Sequence, residues 1–414
     1  MTLAILSAPG SRGDVNPMIA IGRELRLRGC DVVISLAEPY VPLAEAAGLQ
    51  SETIVSRQEF DQLLSDRRVW TAFGGVRRLL DGVAVPLIKR HQQVIDKHHR
   101  LGETVLVSHP LDLASRLFRE HRDDVPLVDI HLAPSMLRDE IHPPRLLRRQ
   151  PTRPAWLVRA AYWAGDKFVL DPVLGPAVHR VQKQNGAPVA RRIFHHWWLS
   201  PDRILAMYPS WFADAWVSKY PQLETLGFPC EDIAGDDFDS AASVSTRPIV
   251  FTAGTAHHHC RRFFDAAVRT CVRLNHPGLL LSTHEENFPT NLPAVVRTAT
   301  YLPLSRLLPS CAAIVHHGGI GTTSAALAAG IPQVIRPMAY DQFDNAARVE
   351  RIGCGVWLRK DRDLAGVLRR LLGDASPVET DRLRRHADRI RCVANPATVA
   401  AERILNLASD RGVR

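Results

Sequence analysis

The chain has 414 residues, 46% apolar and 23% charged, an ordinary globular balance that excludes a disordered or fibrous chain and exceeds what one hydrophobic core organises. It carries 52 basic residues, only six of them lysine, against 43 acidic ones; the resulting +9 would suit nucleic acid, anionic lipid or a phosphorylated substrate without choosing among them. Seven cysteines without a C-x-x-C pair exclude a disulfide framework or zinc knuckle, and no apolar run reaches the ~18 residues that a membrane-spanning helix needs.

In chain order, Leu3–Leu6 is a short apolar strand, and the start lacks the basic region of a signal peptide. A loop, Ser7–Asp14, leads into a helix over Val15–Arg28, with Gly29 where a helix-ending glycine belongs. Asp31–Leu36, Thr104–Ser108 and Val125–Ile130 read as further buried strands. Between 145 and 167, Arg145, Arg148, Arg149, Arg153 and Arg159 alternate with Trp156, Tyr162 and Trp163, a pattern that fits either a packed amphipathic helix or an anionic membrane surface. The segment 195–198 (HHWW) reads as structural or acceptor-lining. A stretch rich in Gly, Ser and Asp, 227–246, has the composition of a domain connection. The pattern then restarts with strands at Pro248–Thr252, Gly278–Ser282, Ala312–Val315 and Gln333–Ile335 and a helix over Ser324–Gly330, and the tail from Asn395, with Pro396 at the first helical position, is a helix.

Strands alternating with helices predict an α/β fold of two Rossmann-like domains with parallel sheets facing a central cleft. The expected boundaries are 1–226, a linker at 227–246, 247–394, and a C-terminal helix at 395–414 returning to the first domain. In such sheets ligands bind beyond the carboxyl ends of the strands, so the loops there carry the chemistry.

Three of these loops stand out. Gly10–Asp14 follows the first strand, with Asp14 poised either as a helix cap or as a group facing a ligand. The segment 315–324 (VHHGGIGTTS) runs from a buried strand into an Ala-rich helix; its glycines, hydroxyls and helix-terminal N–H groups suit phosphate oxygens. It has neither the spacing nor the lysine of a Walker A loop, nor the G-x-G-x-x-G spacing of dinucleotide folds. Asp341 and Gln342 follow another strand; a carboxylate and an amide suit vicinal sugar hydroxyls, although a plain helix cap would look the same.

Together GSRGDVNP at 10–17, HHGGIGTT at 316–323 and the Asp341-Gln342 pair resemble the family 1 glycosyltransferases of the two-domain GT-B fold. The resemblance spans essentially the whole chain. Segments such as Tyr208–Ala213, Leu226–Pro229 and Gly353–Gly355 are similar to the catalytic B chain of bacterial rhamnolipid-type rhamnosyltransferases.

The resemblance implies an inverting, metal-independent hexosyl transfer, rhamnosyl in that subgroup. The donor would be a dTDP- or UDP-linked sugar, and the acceptor a hydroxyl of a lipid-like or other small molecule such as a polyketide, peptide or sterol. A nucleotide-sugar-binding protein without turnover is the alternative from a different class. By the same resemblance His317, with Gly319, Gly321 and Thr322, meets the donor phosphates, and His316 stays a candidate. Asp341 and Gln342 hold the donor sugar; Thr252, Gly254, Thr255, Tyr301, Leu302 and Leu304 surround base and ribose; Ser11, Arg12 and Gly13 line the acceptor side. Asp14 stands where many relatives have a histidine base, and His109, His131 and His195 remain if Asp14 is only a cap.

No cofactor, metal or nucleic acid is expected, and the expected location is the cytoplasm, peripheral at the inner membrane face if the acceptor is a lipid. The run His257–His259 is a weak metal candidate because sequence-adjacent histidines rarely share one ion, and Asp237-x-Asp239 lies in the linker.

Overall fold

The computed structural model describes residues 1–71, 74–145, 153–213, 219–229, 247–373 and 376–413. Arg148, Arg149 and the Asp237-x-Asp239 motif lie outside them, as does most of the expected linker. The chain divides into two compact units, each built on one parallel sheet. The strands of the first are β1 (Leu3–Ala8), β2 (Asp31–Ala37), β3 (Gln50–Val55), β4 (Thr104–Ser108), β5 (Leu127–His131), β6 (Arg203–Ala206) and β7 (Leu223–Thr225), in the order β3-β2-β1-β4-β5-β6-β7. Those of the second are β8 (Ile249–Thr252), β9 (Gly278–Leu281), β10 (Val296–Ala299), β11 (Ala313–His316), β12 (Gln333–Ile335) and β13 (Gly355–Trp357), in the order β10-β9-β8-β11-β12-β13.

The apolar runs explain the architecture. Every residue of β1, β4, β5, β8 and β11 is buried, as expected of parallel strands covered on both faces by helices. In both sheets the first strand of the unit pairs with the fourth, β1 with β4 and β8 with β11. The crossover direction reverses at that seam, and it sits in the middle of each sheet. Phe251, Phe264, Ala313, Val315 and Val334 are among the core residues of the second unit.

Two helix starts differ from the sequence reading. The first helix spans Arg12–Leu27 rather than starting at Val15, because Ser11 and Asp14 form a capping box that draws residues 12–14 into the first turn. Pro17 therefore falls inside the helix, and it lacks the N–H that would bond the Gly13 carbonyl. The helix after β11 spans Ile320–Ala329, not Ser324–Gly330, so Gly321 and Thr322 belong to its first turn and only residues 317–319 remain as loop.

The C-terminal helix, Pro396–Asp410, returns to the first unit and packs against the helix Arg12–Leu27. Its apolar face buries Ala400, Ala401 and Ile404 completely. Its rim is fixed by Arg403 on Glu224 at 2.9 Å and by Arg411 beyond its end on Asp202 at 2.8 Å. Asp202, almost fully buried, also accepts from Arg119 and from the Leu127 N–H, so it ties three segments together. Truncating Ile404 to Ala should leave a cavity under this helix and cost about 2–5 kcal/mol, read as a lower midpoint in chemical denaturation.

Candidate active site

In the first unit, the loops after β1 and β4 emerge side by side because those strands are paired. Asp14 sits in the first turn of its helix, its side chain about one-third exposed. Its Oδ2 accepts from the Ser11 N–H at 2.7 Å and the Ser11 hydroxyl at 3.1 Å. Its Oδ1 lies 3.4 Å from Nε2 of His109, which follows β4. The Leu111 N–H donates to His109 Nδ1, so a neutral ring carries its proton on Nε2, facing Asp14. Burial pushes the Asp14 carboxyl up, but the hydrogen bond and charge of His109 and the bonds from Ser11 outweigh it and hold the group below its ordinary value. Asp14 is therefore ionised at neutral pH.

Beneath this pair lies a buried polar support. Asp112 accepts from the hydroxyls of Ser7 and Ser115, both at 2.6 Å, and from two N–H groups of the helix it caps. Ser7 in turn receives the His109 N–H at 3.3 Å. His109 is thus fixed by its backbone and by its ring. His131 is fully buried with its pKa pushed down to about 3 by burial, and it packs on Trp198. His195 lies in the short irregular helix Ile193–Trp197, its ring tilted against that of His196 at 4.0 Å between centroids. Neither approaches the geometry of His109 toward Asp14.

In the second unit, the loops after β8, β11 and β12 also come from neighbouring strands. His316 ends β11 fully buried, and both its ring nitrogens are spent: Nδ1 accepts from the Gly318 N–H at 3.1 Å and Nε2 faces Gln333 Oε1 at 3.0 Å. Burial lowers its pKa to about 4, against a smaller opposing effect of Gln333. His317 is placed differently. A Cβ on Gly254 would stand 2.7 Å from its ring and one on Gly319 2.5 Å, so both glycines are needed to accommodate the imidazole. Its partner across the loop is the His257 ring, edge-on at 5.9 Å between centroids. Burial, with His257 and His316 nearby, holds the His317 pKa well below its ordinary value, so the imidazole is neutral.

The Asp341–Gln342 pair is locked into this loop. Gly318 has φ +98°, and a Cβ there would meet Ile335 at 2.7 Å and the Gln342 carbonyl at 3.1 Å. Asn345, fully buried, donates to the Gly318 carbonyl at 2.9 Å and to Asp341 Oδ2 at 2.8 Å, bridging the two loops. Gln342 Oε1 accepts from the Met338 and Ala339 N–H groups at 2.8 and 3.0 Å, which commits the oxygen and leaves Nε2 as the amide's donor. Tyr340 takes a left-handed φ of 54° to set Asp341 at the helix N-terminus.

Thr252 ends β8 and Gly254 and Thr255 lie on the turn after it, where Thr252 Oγ1 accepts the Gly254 N–H at 3.1 Å. Leu302 and Leu304 pack against the core beside Val250 and Leu281, with Tyr301 half-buried next to them. Sequence reasoning had no means of finding Gln333, Asn345 or the Asp112 support, since each acts through a contact made only on folding.

Residues 279–403 match the family of the erythromycin biosynthesis protein CIII-like C-terminal domain. The chain is 28% identical over 370 residues to the O-mycaminosyltylonolide 6-deoxyallosyltransferase of Streptomyces fradiae, covering 85% of this chain and 84% of that one. It is 26% identical over 372 residues to an uncharacterised glycosyltransferase of Mycobacterium tuberculosis, covering 85% of each. The solved structure of the spinosyn rhamnosyltransferase SpnG with thymidine diphosphate is similar over 98% of this chain and 100% of that one, with a TM-score of 0.67 at 18% identity. Two parallel α/β sheets, these relatives and the matched C-terminal domain define a glycosyltransferase of the GT-B fold. In sequence the chain is similar to family 1 glycosyltransferases along most of its length.

The two histidines should separate cleanly by stability. His316→Ala removes a buried ring with two partners and should cost about 1–3 kcal/mol, whereas His317→Ala should change the denaturation midpoint much less. Equal losses in urea melts would contradict the division of roles drawn from the ring contacts.

Proposed function

We propose that the chain transfers a hexosyl group, with inversion and without a metal ion, from a thymidine- or uridine-diphosphate sugar to a hydroxyl on a hydrophobic small molecule. The observation that carries this reading is His317: a neutral imidazole framed by glycines at the N-terminus of the helix Ile320–Ala329. There it donates to the diphosphate together with the backbone N–H groups of Gly319 and Gly321 and the Thr322 hydroxyl, where a cation would otherwise be needed. Asp341 and the Gln342 amide hold the sugar hydroxyls, and the turn Thr252–Thr255 with Tyr301, Leu302 and Leu304 holds base and ribose.

On the acceptor side, Ser11, Arg12 and Gly13 line the approach to Asp14. The Asp14 carboxylate takes the acceptor proton as the hydroxyl oxygen attacks the anomeric carbon and the diphosphate leaves. Because Asp14 is held below its ordinary pKa, it is a weak base and proton transfer comes late, when the glycosidic bond is well formed. The choice of thymidine diphosphate is supported by its presence in the structure of SpnG, and the macrolide-type acceptor by the name of the Streptomyces fradiae relative.

Nucleotide diphosphate release from a donor and acceptor panel tests this reading, and it should persist in EDTA. Asp14→Asn should lower kcat by ~10²–10⁴ with donor affinity little changed. His317→Ala should lower kcat/KM by ~10²–10³. Near-wild-type turnover in a folded Asp14→Asn variant would reduce Asp14 to a helix cap and move the base to His109.

A lipid acceptor is the second reading, and one observation favours it. On the helix Ala155–Gly165 and the turn after it, Trp156, Trp163 and Phe168 are 66%, 46% and 65% exposed, and Lys167 lies 4.8 Å over the Trp163 ring. The opposite side is packed: Val158 is buried and the Tyr162 hydroxyl donates to the Asp139 carbonyl. The segment thus combines the packed helix with an outward aromatic and basic face, as a peripheral membrane contact requires. Binding to anionic vesicles should then weaken as salt rises, and Trp156→Ala with Phe168→Ala should reduce it. Equal, negligible sedimentation with neutral and anionic vesicles would remove the lipid reading.

A further inference from the structure

At the carboxyl edge of the second sheet, two histidines and a glutamate converge from the loops after β8 and β9. His258 lies in the turn after β8; His284 and Glu286 follow β9. Nδ1 of His258 and Nδ1 of His284 stand 3.8 and 3.7 Å from the same Glu286 Oε1, and the two rings stack at 3.7 Å between centroids. One donor atom from each of the three lies within 4.8 Å of the other two. We propose that His258, His284 and Glu286 bind one borderline-soft divalent cation, zinc being the best fit, as a tie between the β8 and β9 loops.

The donor set selects the ion. Two imidazoles and one carboxylate match zinc, nickel or cobalt, whereas magnesium and calcium require an oxygen-dominated shell that a single carboxylate does not supply. Spacing agrees as well. Ligand atoms ~2.0–2.2 Å from a tetrahedral zinc lie roughly 3.3–3.5 Å from one another, so small side-chain movements close the observed gaps. Three protein ligands leave the fourth position open on the side where Glu286 is 63% exposed.

The backbone beneath is already fixed. Asn287, 1% exposed, donates to the His257 carbonyl at 3.0 Å and accepts the Cys260 N–H at 2.8 Å. Thr283 Oγ1 donates to the Thr255 carbonyl at 3.1 Å, and Ser282 Oγ accepts the His284 N–H at 3.1 Å. The loops that present the ligands are therefore stapled on both flanks, the preorganisation a metal site needs. Only the middle histidine of the run His257–His259 belongs to the cluster: the His257 ring packs on His317, and the His259 ring lies 6.5 Å from that of His258.

The proposal does not rest on the transfer chemistry. The test uses the full-length chain without a polyhistidine tag, freed of metal by a chelator and titrated with Zn²⁺ by calorimetry and with Co²⁺ by visible absorption. One saturable equivalent is expected, with the intense cobalt bands of a four-coordinate ion. His258→Ala and His284→Ala should each weaken zinc at least ~tenfold, since even an outer partner of a ligand is worth that much. His195→Ala should leave it unchanged. No saturable binding, or binding unchanged in both variants, overturns the proposal. If the histidine variants fail to fold, exposed Glu286→Gln decides: unchanged zinc affinity overturns the site, and weaker affinity supports it.

Discussion

The seam between the first and fourth strands of each sheet is the constraint on which the rest depends. Crossovers run away from it in both directions, so the loops at its carboxyl edge diverge and leave backbone and side chains facing outward between them. In the first unit that seam places Asp14 beside His109; in the second it places Gly254 against His317. Neither pairing follows from proximity in sequence. Both follow from the register of β1 on β4 and of β8 on β11, which a one-residue slip would destroy by turning every side chain to the opposite face.

At the second seam, burial and packing act together on one ring. Glycine at 254 and at 319 lets the His317 imidazole lie close against two stretches of backbone, and that closeness is what strips it of water and keeps it neutral. A neutral imidazole at a helix N-terminus donates a hydrogen bond without the cost of burying a cation. His316 makes the complementary contribution: it spends both nitrogens holding Gly318 and Gln333, so the turn presents His317 in one conformation.

Much of this was legible in the sequence. Continuous apolar runs marked the buried strands, and the glycine-rich segments lie in the loops after them, as their composition suggests. The first helix starts earlier than the apolar period suggests because the Ser11–Asp14 box caps it, and the helix Ile320–Ala329 starts earlier although no side chain caps Gly319. What stayed hidden was every contact that needs the fold: Asn345 bridging Gly318 and Asp341, Asp112 under His109, and Asp202 collecting Arg119 and Arg411. Spacing along the chain carries no signal for residues that meet across a sheet. The histidine run shows the same limit from the other side, since its neighbours in sequence diverge and the ligand partner of His258 comes from another loop.

On the proposed mechanism Asp14 joins stability to chemistry. Its Oδ2 closes the capping box that starts the first helix, and its Oδ1 faces His109, so the carboxylate is held by groups that all favour its charged form. A residue so stabilised is always ready to accept a proton but gains little by doing so. On the proposed mechanism the driving force must then come from the donor side: the sugar–phosphate bond has to weaken before the acceptor oxygen becomes acidic enough for Asp14 to deprotonate. That places the larger share of transition-state stabilisation on the diphosphate loop, where the His317 ring and the N-terminus of the helix Ile320–Ala329 meet the charge as it develops. The weak base and the crowded, neutral histidine are two parts of one requirement, since an early-acting base would have no use for a cradle built to receive a nearly departed leaving group.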